Sequence, residues 1–269
     1  MSSIVRPTPA QMTRRLIVLA SAIFAVVVAQ VQMGFGLGQT AEAFAADSDA
    51  TLKVAGYAFA IWGVIYLGLL IYAVRQVLPA TGESELLTRL GWPSVLAFLG
   101  IGLWIVAAAF DWELGTILLI FGSLLVLLIP LLMNARAIRV LPRASRERWM
   151  VVWPLALLAG WLGIAAPVNL LTVLTGNGDL PAVLSPTVWA LTAVLLVTLK
   201  ALAVTWVLRT PAFALPIAWG LLAVFVAEMD RNPVLATGAV LASGLTLVGA
   251  VILTFRLAPS VERMDPERL

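Results

Sequence analysis

Ten tryptophans stand in a chain with no histidine and no cysteine, and that imbalance limits the chemistry available. Without histidine there is no Ser-His-Asp triad and no imidazole ligand for zinc, haem or chlorophyll. Without cysteine there is no disulfide, thiol nucleophile or Cys-held cluster. No acid–base or nucleophile–base pair falls at one depth of the predicted bundle, so the sequence reads as a non-enzyme. Indole rings bind rather than react: aromatic faces with a few polar groups among them suit an apolar ligand. Trp62, Tyr66, Trp104 and Trp161 are the candidate ring contacts, and Asn169 is the candidate hydrogen-bonding group for a ligand's polar edge. Gln30 and Gln32 fall at a similar depth. Helix packing and interhelical hydrogen bonds are the competing assignment for the same residues.

The elements that must position these side chains are membrane helices. The chain is 62% hydrophobic and 12% charged, with a mean hydropathy of +1.03, whereas a soluble domain carries about 25% charged residues. A spanning helix needs about 20 apolar residues. Eight segments qualify: 16–36, 54–78, 92–110, 114–133, 149–174, 187–208, 212–229 and 234–255. The fold class predicted is an all-α polytopic bundle, with a first part over 1–174 and three further helices and a short polar tail over 175–269. The seventh segment begins with Pro211 and Pro216, which predicts a kinked or partly re-entrant helix.

Charge gives the orientation. Fourteen of the basic residues fall in one alternating set of segments, from Arg6, Arg14, Arg15, Arg75 and Arg89 through the 134–148 loop to Arg209, Arg256, Arg263 and Arg268. The other set holds only Lys53 and Arg231, beside Glu42, Asp47, Asp49, Asp111, Glu113, Asp179, Glu228 and Asp230. The positive-inside rule then predicts an N-in, C-in protein of the cytoplasmic (inner) membrane. Lys200 is left inside a span, two turns from the inner end of its helix, and is expected to snorkel to the head groups. A retinal Schiff base would need a carboxylate counter-ion within the spans, and none is there. Arg14-Arg15, an apolar run and Ala43-Phe44-Ala45 follow the order of a signal peptide, but a run of about 20 residues exceeds an h-region of 7–15.

Depth separates the tryptophans. Trp92, Trp112, Trp149, Trp153, Trp189 and Trp206 fall near helix ends, as interfacial anchors do. Counting ~1.5 Å per residue, Trp62 lies ~12 Å and Trp104 ~9 Å below the outer helix ends, with Trp161 near mid-helix.

Three runs resemble the TspO/MBR (translocator protein, tryptophan-rich sensory protein) family. Phe59-Ala-Ile-Trp-Gly-Val-Ile-Tyr-Leu-Gly-Leu-Leu-Ile-Tyr-Ala-Val-Arg-Gln76 is similar to the family's second helix. Gly102-Leu-Trp104 looks like its Asn-x-x-Trp helix, with Ile101 at the Asn position. Trp153-Pro-Leu-Ala-Leu-Leu-Ala-Gly-Trp161, followed by Ala165-Ala-Pro-Val-Asn169, is similar to its Pro-Tyr-x-x-Trp…Ala-x-x-x-Asn helix, with Leu155 in place of the Tyr. The resemblance covers about residues 16–174. It implies a pocket for porphyrins, sterols or related apolar molecules at the end closed by the loop between the first two helices. Trp62, Trp104 and Asn169 map to that end. The family's Pro- and Trp-rich lid is replaced by the small, acidic Thr40–Val54 segment, and residues 187–255 add three helices to the family's five.

The leading expectation is therefore a protein that binds a non-covalently held porphyrin, isoprenoid or sterol-like ligand, for sensing or transport. An accessory subunit, meeting itself as a homodimer or a larger membrane complex through the basic loop 134–148, is the alternative, and a facilitative small-solute carrier is a third. The loop's other expected contact is the anionic lipid surface of the bilayer. No basic stripe with a groove-reading element is present, which excludes a nucleic-acid partner.

Overall fold

The structure is a computed structural model that describes residues 7–46, 50–78 and 84–256. Asp47, Asp49, Arg6 and the polar tail from residue 257 lie outside the described residues. Eight helical stretches are long and apolar enough to cross a bilayer, and no strand occurs among the described residues. The elements are α1 (Pro9–Phe35), the short α2 (Ala41–Ala46), a 3-10 turn (Gly56–Ala60) leading into α3 (Ile61–Val77), α4 (Glu85–Ala109), α5 (Glu113–Met133) and the short α6 (Ala135–Arg139). A π-turn (Arg148–Val152) opens α7 (Trp153–Gly176), then come α8 (Pro186–Leu208), a 3-10 turn (Pro211–Phe213) running into α9 (Ala214–Glu228), and α10 (Pro233–Val251), which closes in a second π-turn.

Helix starts follow capping chemistry as well as apolarity. Thr8 and Gln11 form a reciprocal capping box ahead of Pro9, and the Ser84 hydroxyl accepts from Leu87 N–H. Both helices therefore begin about seven residues before the apolar runs at 16 and 92. Ser185 and Asn232 cap α8 and α10 in the same way, each followed by a proline in the first turn. The seventh span is not re-entrant. Pro211 initiates the 3-10 turn and Pro216 sits in the first turn of α9, where few backbone donors are needed.

Five helices close a ring in the spatial order α1–α3–α7–α5–α4, and α9 packs on the outer face of α7 with α8 and α10 behind it. One hydrophobic core runs through all eight spans. Close backbone approach fixes the α7–α9 seam: a Cβ on Gly160 would strike the Phe213 carbonyl.

The 134–148 loop is tied into the chain. Arg139 donates to the Val207 and Trp206 carbonyls at the end of α8. Arg148 reaches the Ile138 and Leu141 carbonyls at 3.1 and 2.9 Å and that of Arg209 at 3.5 Å. Arg209, in the left-handed position that ends α8 (φ 54), donates to Leu253 O at 2.9 Å. Arg143 lies 5.2 Å from the Phe255 ring. The guanidinium groups of Arg139, Arg148 and Arg209 satisfy carbonyls at or just beyond helix C-termini, where the helix dipole also favours a cation. The exposed Arg136 and Arg146 complete the basic character of this face.

Candidate functional site

A cavity of about 50 Å³ lies inside the five-helix ring, toward the end that carries the 36–60 segment. Trp62 from α3, Ile101 and Trp104 from α4, Ile120 from α5, and Trp161, Leu162, Val168 and Asn169 from α7 line it. Gly220 of α9 also lines it, close against Ile164 of α7. Trp161 stands edge-on to both Phe59 and Trp62, with ring centres 6.3 Å away in each case. None of the described residues that line it is charged.

Four of the five residues singled out above surround this cavity: Trp62, Trp104, Trp161 and Asn169. Tyr66 does not line it. One turn further along α3, Tyr66 stacks on the ring of Trp62 at 5.1 Å and is buried behind it. Spacing of four residues puts the two rings on one helix face, one above the other, so only the nearer one meets the cavity.

Asn169 is engaged by the protein. Its Oδ1 accepts the Trp104 indole N–H at 3.0 Å, and its Nδ2 donates to Thr116 Oγ1, also at 3.0 Å. Thr116 in turn donates to the Glu113 carbonyl at 2.7 Å. This chain links α4, α7 and α5 and holds the Trp104 ring by its edge, turning an apolar face to the cavity. One N–H and one lone pair of the amide remain for another partner.

Described residues of the segment between α1 and α3, which has no proline or tryptophan, cover one side of the cavity. Phe44 of α2 is buried edge-on against Trp104, 6.0 Å between centres, and Phe44, Ala45 and Val54 complete the lining. Gln32, at a depth similar to the tryptophans, staples the lid's start by donating to the carbonyls of Leu37 and Gln39, both at 3.0 Å. Gln30 is exposed. Gly38, at φ +68, lies so close to the Ala109 carbonyl that any Cβ would clash. The lid's other end is tied to the last helices: Ala55 N–H donates to Ala223 O, Lys53 N–H to Glu228 Oε1 and Trp219 Nε1 to Ala58 O. Those last contacts were hidden in the sequence because they join segments some 160 residues apart.

Burial sorts the remaining tryptophans as depth suggests. Trp92, Trp112, Trp149 and Trp206 are more than half exposed on the bundle surface, whereas Trp104 and Trp161 are buried. Lys200 does not snorkel. Its ammonium donates to the Gly163 carbonyl at 2.6 Å, at the middle of α7. Helical side chains lean toward the helix N-terminus, so a lysine near the C-terminal end of α8 leans away from its nearer interface.

A family model described as TSPO-like protein matches residues 14–252. The chain belongs to the TSPO-like family. The match runs past residue 174 and takes in α8, α9 and all but the end of the last span. No curated protein and no solved structure matches the chain. With eight apolar spanning helices, this TSPO-like chain is a multi-pass membrane protein. Two of its departures from the family pattern can be placed: Ile101 lines the cavity, and Leu155 is fully buried in the core.

Proposed function

We propose that this TSPO-like protein binds an uncharged, apolar ligand of isoprenoid or sterol-like character in the tryptophan-lined cavity, for sensing or transport. One observation carries the reading: Trp62, Trp104 and Trp161 converge on one cavity, and none of the described residues that line it is charged. A porphyrin is the weaker candidate, because its carboxylates would find no cation among the lining residues. At about 50 Å³ the cavity is well below the roughly 300–1,000 Å³ of occupied ligand sites, so in this reading the ligand enters by displacing lining side chains, Phe44 of the lid first among them. The apolar lining also favours retention of a ligand over passage of a polar solute. Arg139 and Arg148 of the 134–148 loop are committed to carbonyls within the chain, which weighs against that loop as the dock for a complex partner. In the proposed orientation both termini and this loop face the cytoplasm, and the lid faces outward from the inner membrane.

The test is tryptophan quenching of the detergent-purified protein by an isoprenoid alcohol and, separately, by protoporphyrin IX. Saturable quenching by the alcohol that is weakened at least tenfold in Trp62→Ala,Trp161→Ala supports the site. Affinity unchanged in that variant would remove it.

A further inference from the structure

Pro167 lies inside α7 and has no N–H. The carbonyl that thereby loses its intrahelical donor is that of Gly163, four residues earlier. A backbone acceptor at mid-membrane has no water to turn to and must be satisfied by protein. Lys200 supplies the donor from α8, with Nζ 2.6 Å from Gly163 O. The lysine stem lies along the glycine: Lys200 Cε is 3.4 Å from where a Cβ on Gly163 would stand, with Phe213 Cζ at 3.4 Å and Ile217 Cδ1 at 3.6 Å. The glycine thus lets the lysine stem pack directly against α7. Among the described residues no carboxylate lies within ion-pair distance of Lys200. A cation at this depth is costly, and the carbonyl opened by the proline gives it a reason to be there.

The bond also lies in the cavity's wall. Trp161, Leu162, Ile164 and Ala165 line the cavity on either side of Gly163, and Val168 and Asn169 line it just beyond Pro167. We propose that Lys200 is a positioning residue for the ligand cavity: by holding the Gly163 carbonyl it fixes the proline-opened turn of α7, and with it the spacing between Trp161 and Asn169. Through this contact, α8 sets the shape of a site built on α3, α4, α5 and α7. The effect on binding rests on the proposed ligand reading, whereas the effect on stability does not.

The experiment is a double-mutant cycle of Lys200→Met with Pro167→Ala in the full-length protein, read by thermal unfolding in detergent and by isoprenoid-alcohol quenching. An alanine at 167 returns an N–H to the Gly163 carbonyl and makes the lysine redundant. Lys200→Met alone is expected to lower Tm by about 5 °C and to weaken quenching by about tenfold. In the Pro167→Ala background the same substitution should change both by much less. Lys200→Arg, which keeps a donor, should recover most of the loss. Equal losses in both backgrounds, or Lys200→Arg no better than Lys200→Met, would overturn the proposal. If neither Lys200→Met nor the double variant folds while Pro167→Ala does, the suppression has failed and the proposal falls with it. Should no ligand quench any variant while the stability cycle is non-additive, the ligand reading fails and the positioning role stands.

Discussion

Asn169 shows how a polar residue in a lipid-solvated bundle is used. Its amide bridges the Trp104 indole and the Thr116 hydroxyl, so removing it leaves the buried Trp104 N–H without a partner and breaks the link to Thr116. Asn169→Leu is expected to cost about 1–3 kcal/mol of stability and to shift tryptophan emission as the Trp104 ring loses its anchor; thermal unfolding and emission spectra of the variant check both. Thr116→Val should be milder, since Asn169 keeps its bond to Trp104. That Trp62, Trp104, Trp161 and Asn169 would face one cavity was legible from depth along each helix combined with the family pattern. The roles of Tyr66 and Lys200 were not. Helical counting places a residue at a depth but does not say whether a ring stands in front of its neighbour or behind it. The destination of Lys200 was nevertheless written in two facts available beforehand, the missing N–H of Pro167 and the N-terminal lean of helical side chains.

At the scale of elements, the lid and the arginine caps are where apolar patterning gave least. Eight long apolar runs are unmistakable, because lipid tolerates little else. The six-residue α2 has no such signature, and its single anchor, Phe44, is recognisable only once Trp104 is seen beneath it. Phe44→Ala should leave the bundle intact and speed both entry and release of the ligand several-fold, measurable by stopped-flow quenching; unchanged rates would mean that α2 is not the gate. The arginines of loop 134–148 read in the sequence as a charge bias, and the structure gives part of them a second task, capping. Arg148→Met strips donors from three carbonyls and should lower stability by about 1–3 kcal/mol. By contrast Arg146→Met, on an exposed side chain, should be nearly silent in the same unfolding measurement.

For the whole molecule, the decisive feature is that α7 belongs to both halves. It is the most enclosed of the eight spans, with 78% of its apolar window buried against 28% for α1. It forms one wall of the five-helix ring on one side and the seat of α9 on the other. A chain truncated after Gly176 would bare that seat and release the lid from Ala223, Glu228 and Trp219. It is expected not to accumulate as a monodisperse species by fluorescence-detected size-exclusion chromatography. The division at residue 174 seen in sequence therefore marks where the five-helix pattern ends, and the core continues across it. The central claim is that the three converging tryptophans form a ligand site, and equilibrium quenching of the purified protein by an isoprenoid alcohol tests it most directly. The account predicts saturable quenching that is lost in Trp62→Ala,Trp161→Ala and retained in the surface variant Trp92→Phe. Quenching that never saturates, or that survives loss of both cavity tryptophans, would contradict it.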